Sequence, residues 1–230
     1  MVNISNYEHI PSEKERVAFY DWYEKKYENL CFDIVYSPFD TFNRPVNEVE
    51  ADYWKSEYDW KILNLTNNYL YMWSYYEKGI PDSESYAELR GEKFAFHYWF
   101  SYHAESLLHR IIGAFDLLHQ IINAKYELKI ENEFGFNGKV RNEIRKINPQ
   151  LYQLIKKVHK DPRFITGVDL RNNFTHNNAP SNLSSGITRE LKGIIAIGKG
   201  SYTSSESIKN AIVDLMDYLT KTKKQLEVYL

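Results

Sequence analysis

The segment DLRNNFTHNNAP, residues 169–180, brings three side chains with complementary chemistry close together in the sequence. On a helix, Asn172 and His176 are four residues apart and share one face, and the long side chain of Arg171 can reach the same region. Arginine binds phosphate through a planar fork of donors, and histidine exchanges a proton near neutral pH. Asparagine can orient the imidazole or hold a ligand oxygen.

These three groups fit one reaction of RNA. A base that removes the 2′-hydroxyl proton allows that oxygen to attack the adjacent phosphorus, and a guanidinium stabilises the more negative phosphorane. The reaction needs no metal ion, and DNA would be spared because it lacks the 2′-hydroxyl. The alternative is a polar helix end, at which an asparagine caps the C-terminus and the histidine is merely exposed.

The run from Arg171 to His176 resembles the R-N-x-x-x-H signature of the HEPN superfamily, and the resemblance covers about residues 45–230. It implies an α-helical bundle. In many members it also implies a metal-independent ribonuclease that acts as a homodimer, with two motifs facing each other in one composite cleft. The implied catalytic residues are Arg171, His176 and Asn172. In such bundles a polar residue of the long helix often points into the cleft, so Glu105 and, beside the motif, Asn177 are the predicted supporting residues.

The resemblance leaves the biological role open. Many relatives belong to prokaryotic defence and toxin–antitoxin systems, which makes an antitoxin protein a candidate partner. Toxins paired with nucleotidyltransferase antitoxins tend to carry Tyr two residues after the His, where this chain has Asn178. Other members only bind nucleotides, so the alternative function is a non-catalytic module that binds nucleotide, RNA or a protein.

A basic segment precedes the motif. Residues 139–163 contain eight Lys or Arg against Glu143 and Asp161, a net charge of +6 in a chain of net charge −2. A phosphate backbone would be attracted there, although solvated helix faces give the same pattern. The predicted RNA-binding residues are Arg141, Arg145, Lys156, Lys157, Lys160 and Arg163.

Helix signals dominate the rest of the chain. Three capping boxes begin at Ser12, Ser85 and Thr203, and Pro149 can open a short helix. The pattern predicts an all-α fold, a bundle of two or three long helices plus several short ones, with a short hairpin near residues 193–203. It also predicts a single domain over residues 1–230, in which residues 1–44 form a candidate accessory segment.

The last predicted helix carries a regular apolar seam, which favours bundle packing or, as a third hypothesis, a partner helix. The seam residues are Ile208, Ile212, Leu215, Leu219, Thr222, Leu226 and Tyr229.

The cysteine content and the distribution of apolar residues predict where in the cell the protein is located. Cys31 is the only cysteine, so the sequence predicts no internal disulfide, no cysteine-based zinc site and a reducing, cytoplasmic location. The N-terminus lacks the pattern of a signal peptide, and no run of 18 apolar residues predicts a membrane span. No motif predicts a metal or other cofactor.

Overall fold

A computed structural model describes residues 8–34, 44–82, 90–177, 179–181, 187–189, 195–197 and 202–230. In this part of the chain the α-helices are α1 (Glu13–Lys26), α2 (Val46–Glu77), α3 (Gly91–Lys125), α4 (Phe136–Ile147), α5 (Pro149–Val158), α6 (Pro162–His176) and α7 (Ser205–Leu226). A 3-10 turn follows at Glu227–Tyr229. The predicted all-α fold is confirmed, with α2, α3 and α7 as the long helices.

One small hairpin interrupts the helices. Strand β1 (Ile187–Arg189) pairs antiparallel with β2 (Ile195–Ile197), and Ile187 lies opposite Ile197. The hairpin was predicted near residues 193–203. Strand β2 lies in that range, whereas its partner strand lies earlier in the chain than predicted.

The helix ends show which local signals operate. Before α1, the Ser12 backbone N–H donates to the Glu15 carboxylate at 2.7 Å, and the Glu15 N–H donates to Ser12 Oγ at 3.3 Å. Before α5, the Leu151 N–H donates to Asn148 Oδ1 at 3.0 Å, and Pro149 occupies the first turn. These contacts satisfy backbone donors that a helix start leaves unpaired. The Ser85 box lies outside the described residues.

The third capping box is shifted by one residue from its predicted position. The Ser207 N–H donates to Ser204 Oγ at 3.2 Å, so Ser204, rather than Thr203, caps α7. Asp82 accounts for the shift, because its carboxylate accepts hydrogen bonds from the Ser205 N–H at 2.9 Å and from Ser205 Oγ at 2.6 Å. Thr203 and Ser204 are both suitable N-cap residues, and the contact of Asp82 with Ser205 favours Ser204.

Internal contacts divide the chain into two compact units. Unit 1 comprises Met1–Trp22, Thr66–His109 and Thr166–Val213. Unit 2 comprises Tyr23–Leu65, Arg110–Ile165 and Asp214–Leu230. The R-N-x-x-x-H motif belongs to unit 1 and the basic segment belongs to unit 2. The single domain over residues 1–230 stays a prediction.

Each unit has its own apolar core. In unit 1, Tyr69, Met72, Phe100 and Leu107 are fully buried. In unit 2, Tyr58, Leu65, Ile111 and Ile144 are fully buried. Burial of such side chains removes apolar surface from water, which is the main stabilising contribution to a fold.

The seam of α7 belongs to these cores. Ile208, Ile212, Leu215 and Leu219 have no exposed surface, and Thr222 and Leu226 are each 2% exposed. Only Tyr229 of the predicted seam is half-buried. The hypothesis that the seam receives a partner helix is therefore wrong, because the same chain already covers it.

No helix in the described part of the chain combines the length and apolar character that crossing a membrane requires.

Candidate active site and basic groove

The predicted catalytic residues lie at the C-terminal end of α6. Arg171 and Asn172 are half-buried, and His176, the last helical residue, is exposed. The Arg171 Nε is shielded from solvent and has no hydrogen-bond partner among the described residues. A buried donor without a partner is costly. The arrangement leaves a guanidinium and an imidazole available to a ligand on the last turns of one helix.

Asn177 closes this helix. Its backbone N–H donates to the Asn173 carbonyl at 3.2 Å, and its Nδ2 donates to Asn173 Oδ1 at 2.8 Å. These bonds occupy a helix end that would otherwise leave carbonyls unpaired. Asn177 thus positions the end of α6, and within the described structure it does not contact Arg171 or His176 through a hydrogen bond.

His109 of α3 contacts the motif, which sequence reasoning missed. Thr175 Oγ1 donates to the Arg171 carbonyl at 2.8 Å and lies 2.9 Å from His109 Nε2. Because the hydroxyl proton is already used, this geometry assigns the proton of the second bond to His109 Nε2. A second imidazole, itself exposed, therefore lies beside the residue that precedes His176.

Glu105, the predicted supporting residue, lies one helical turn before His109 on α3. It is half-buried, and in the ranges that the structure describes it forms no hydrogen bond or ion pair with Arg171 or His176. The i, i+4 relation to Glu105 is the one signal that would have led to His109. A supporting role for Glu105 stays a prediction.

Part of the basic segment lines a groove of about 640 Å³ in unit 2. We call this the basic groove and define it by its cations, which are Lys156, Lys157, Lys160, Arg163 and Lys221. Four of them were predicted from the sequence, and Lys221 comes from α7. Asp161 is the only acidic residue among the lining side chains, so the groove has a positive field suited to a polyanion.

Arg163 is the most firmly positioned of these cations. Its Nε and Nη2 donate to the Asp161 carboxylate at 2.8 and 2.7 Å. These bonds hold the pKa of Asp161 below its usual value. The guanidinium also lies 4.2 Å from the centre of the Tyr218 ring, which adds a cation–π contact.

The other two predicted RNA-binding residues do not line the groove. Arg145 lies against the Tyr152 ring, 5.8 Å from its centre. Arg141 is close enough to His119 and His159 for its charge to depress the pKa of both rings. Residues on one helix point in different directions, so adjacency in the sequence did not place all six cations on one surface.

His119 and His159 form a pair of neighbouring imidazole rings in unit 2. Their ring centres are 5.5 Å apart, and His119 Nδ1 lies 3.1 Å from the Phe115 carbonyl. Burial, with the charge of Arg141, lowers the pKa of His119 to about 4 and that of His159 to about 3. Both rings are therefore neutral at physiological pH.

The described residues give little support for metal binding or for a reactive thiol. Among the described residues, no group of three or more His, Cys, Asp and Glu side chains is arranged to hold a metal ion. Cys31 is half-buried, and burial raises the pKa of its thiol to about 12. A thiol with this pKa is a poor nucleophile at neutral pH.

Comparison with known proteins gives one family. Residues 54–230 match the family model described as HEPN_Cthe2314-like HEPN. No curated protein and no solved structure gave a match. The matched region includes the α6 motif, His109 and the basic groove, and it excludes α1. Because the match extends over well over half of the chain, the protein belongs to the HEPN superfamily, within the Cthe2314-like family.

Proposed function

We propose that this chain is a metal-independent endoribonuclease of HEPN type, acting as a homodimer with the active site in a cleft between two motifs. The observation that carries the proposal is the end of α6. There the Arg171 guanidinium, whose Nε has no partner in the part of the chain that the structure describes, precedes an exposed imidazole by five residues. Family membership supports a nucleotide-binding or ribonuclease-like module.

The reaction would proceed by internal transfer. His176 accepts the proton of the 2′-hydroxyl, the 2′-oxygen forms a bond to phosphorus, and the bond to the 5′-oxygen breaks. Arg171 stabilises the negative charge on the phosphorane, and Asn172 orients the imidazole or a phosphate oxygen. The departing 5′-oxygen needs a proton. His109, in its protonated form, supplies it, so the products are a 2′,3′-cyclic phosphate and a 5′-hydroxyl.

The direct test is incubation of the pure protein with structured and unstructured RNA in EDTA. Cleavage with cyclic phosphate ends is expected, and one 2′-deoxy substitution at a cleaved position should protect that position. If diverse RNAs stay intact with and without divalent metal, the alternative holds instead. In that case the basic groove would support a non-catalytic module that binds RNA or nucleotide.

His109→Gln is expected to lower cleavage of ordinary RNA by about 10²-fold, a typical contribution of a general acid. The loss should largely disappear on uridine 3′-(4-nitrophenyl phosphate), because nitrophenolate leaves without a proton. Rates on the two substrates, measured for wild type and variant, provide the check. An equal loss on both substrates would instead assign His109 a structural role through Thr175.

We also propose that the basic groove binds the RNA backbone. Lys157→Ala combined with Lys160→Ala should weaken binding of single-stranded RNA. It should also reduce the slope of log K against log salt by about 1.4, since each lost phosphate contact removes about 0.7. Fluorescence anisotropy at several salt concentrations measures both quantities.

The matched control carries the same change of charge on α4. Lys139 and Lys146 lie in the basic segment but do not line the groove. Lys139 forms an ion pair with Glu133, and Lys146 forms one with Glu143. Their double alanine variant should change the salt slope much less. Equal effects of the two double variants would show that RNA senses total charge and not the groove.

The cellular role of such a nuclease is also a proposal. RNA cleavage in the cytoplasm, restrained by an antitoxin partner, fits the defence and toxin–antitoxin context of many relatives.

A further inference from the structure

A pocket in unit 1 is built by helix faces that the proposed nuclease does not use. Its volume is about 390 Å³, which is within the range of small-molecule sites. Helices α1 and α2 each contribute residues with i, i+3, i+4, i+7 spacing. We call it the aromatic pocket, and it is lined by Glu15, Ala18, Phe19, Trp22, Leu70, Trp73, Ser74 and Glu77.

The walls of the aromatic pocket are indole and phenyl rings. The ring centres of Trp22 and Trp73 are 5.2 Å apart, and those of Phe19 and Trp22 are 5.8 Å apart. Aromatic faces carry partial negative charge and attract cations, with Trp the strongest. The chain already shows this preference nearby, where Lys209 Nζ lies 5.5 Å from the centre of Trp73 and 4.1 Å from that of Tyr76.

The polar groups of the pocket are acidic. Glu15 accepts hydrogen bonds from the Ser12 hydroxyl and N–H, both at 2.7 Å, and these bonds lower the pKa of its carboxyl group. Glu77 is exposed and forms no hydrogen bond or ion pair within the described ranges. It is the last residue of α2, whose last turn contains no basic residue, so the negative end of the helix dipole adds to the negative potential beside it.

Two neighbouring nitrogen-bearing side chains, His9 and Lys78, act electrostatically on Glu15 from outside the pocket lining. His9 Nε2 lies 3.5 Å from Glu15 Oε1, and Lys78 Nζ lies over the Phe96 ring at 5.9 Å from its centre. Neither side chain lines the pocket. On the pocket surface, Ser74 is 8% exposed, and its Oγ has no hydrogen-bond partner among the described residues.

We propose that the aromatic pocket binds a small organic cation, an alkylammonium with an apolar body. Indole faces and a carboxylate together recognise such an ion, whereas the two glutamates would repel a phosphate group. The volume of about 390 Å³ fits a small molecule. Four of the eight lining residues belong to α1, which lies outside the family match, and none belongs to the α6 motif or to the basic groove.

Choline and its uncharged carbon isostere, 3,3-dimethylbutan-1-ol, provide a matched pair of probes for the full chain. Isothermal titration calorimetry should show choline binding at least tenfold more tightly than the isostere. Trp22→Leu should weaken choline binding at least fivefold, and Glu77→Gln should weaken it about threefold. Asp21→Asn, an exposed change on α1 outside the pocket, should leave binding unchanged.

Three results of these titrations would overturn the proposal. The proposal is overturned if choline, tetramethylammonium and agmatine all fail to bind, or if the isostere binds as tightly as choline. It is also overturned if Glu77→Gln and Asp21→Asn behave alike. Since Glu77 is exposed, its variant should fold normally, so the test remains valid even if Trp22→Leu destabilises the protein. RNA cleavage by Glu77→Gln should equal that of the wild type.

Discussion

Replacing Arg171 or His176 with alanine is expected to lower the rate of RNA cleavage by about 10²–10⁴-fold, the range for loss of a general base or of one charge-stabilising donor. Arg171→Ala would remove the group that is proposed to stabilise the phosphorane, and His176→Ala would remove the proposed proton acceptor. Because the two residues act on the same step, the double variant should be little worse than either single variant. Initial rates on a defined RNA measure all three.

The sequence contains a natural control for this experiment. Arg90 and His97 form a second arginine–histidine pair with similar spacing, but Gly91 follows the arginine. Arg90 is exposed, so Arg90→Ala should leave the rate within about twofold of wild type, as is usual for surface changes. An equal loss in Arg90→Ala and Arg171→Ala would contradict the assigned site.

Mixing the two inactive variants tests the composite cleft. In a heterodimer of Arg171→Ala with His176→Ala, one subunit retains the imidazole and its partner retains the guanidinium. Activity should return on mixing if these groups act across the subunit boundary. If the mixture stays inactive while subunit exchange is demonstrated, both residues act within one subunit.

The second large effect concerns stability at acid pH. The pKa of His119 is about 4 in the folded protein because of burial, against 6.5 for an ordinary histidine. The unfolded chain therefore binds more protons between these values, and stability must fall as pH is lowered from 6.5 to 4. For His119 alone, the shift corresponds to roughly 3 kcal/mol of unfolding free energy.

Other histidines act in the same direction. Burial lowers the pKa of His103 to about 4 and that of His159 to about 3. Asp59 opposes them, because burial raises the pKa of its carboxyl group. Burial also lowers the pKa of His97. With four histidines against one such carboxylate among the described residues, urea unfolding should show a steep loss of stability between pH 6.5 and 4.5.

His119→Gln isolates one contribution. The variant cannot become charged, so the slope of unfolding free energy against pH should be shallower than in wild type. Ile122→Val is the control, since it removes a buried methyl group without removing a titrating group. It should lower stability at every pH and leave the slope intact. Identical slopes for wild type and His119→Gln would refute the assignment.

Local signals predicted the helices well, for identifiable reasons. The Ser12–Glu15 box, Pro149 and the apolar seam of α7 each depend on residues that are close together in the sequence. Tertiary contacts explain the failures. Ser204 replaces Thr203 as the cap because Asp82 binds Ser205. Asp82 is far from this helix in the sequence, so the local sequence around Thr203 could not predict the contact.

His103 shows the same limit on helical-wheel reasoning. On a helical wheel it lies opposite the apolar face of α3, a position that is typical of an exposed side chain. In the structure it is half-buried, with its ring centre 5.1 Å from that of Tyr71 and 6.0 Å from that of Tyr75. A wheel drawn for one helix cannot show that another helix supplies aromatic neighbours.

The candidate site was partly predictable. Arg171, Asn172 and His176 followed from residue types and spacing, because all three lie on one helix. His109 and Lys221 did not, since each reaches its place from a separate helix. The aromatic pocket was missed for the same reason, because its two walls are more than forty residues apart in the sequence.

The placement of α7 has a consequence for how the chain folds during synthesis. Ile208 and Ile212 complete the core of unit 1, while Leu215 and Leu219 complete that of unit 2. Many proteins fold progressively as domains leave the ribosome. Here neither core is whole until residues 205–226 have been translated, so a nascent chain that stops before Thr203 presents two unfinished apolar surfaces to chaperones and proteases.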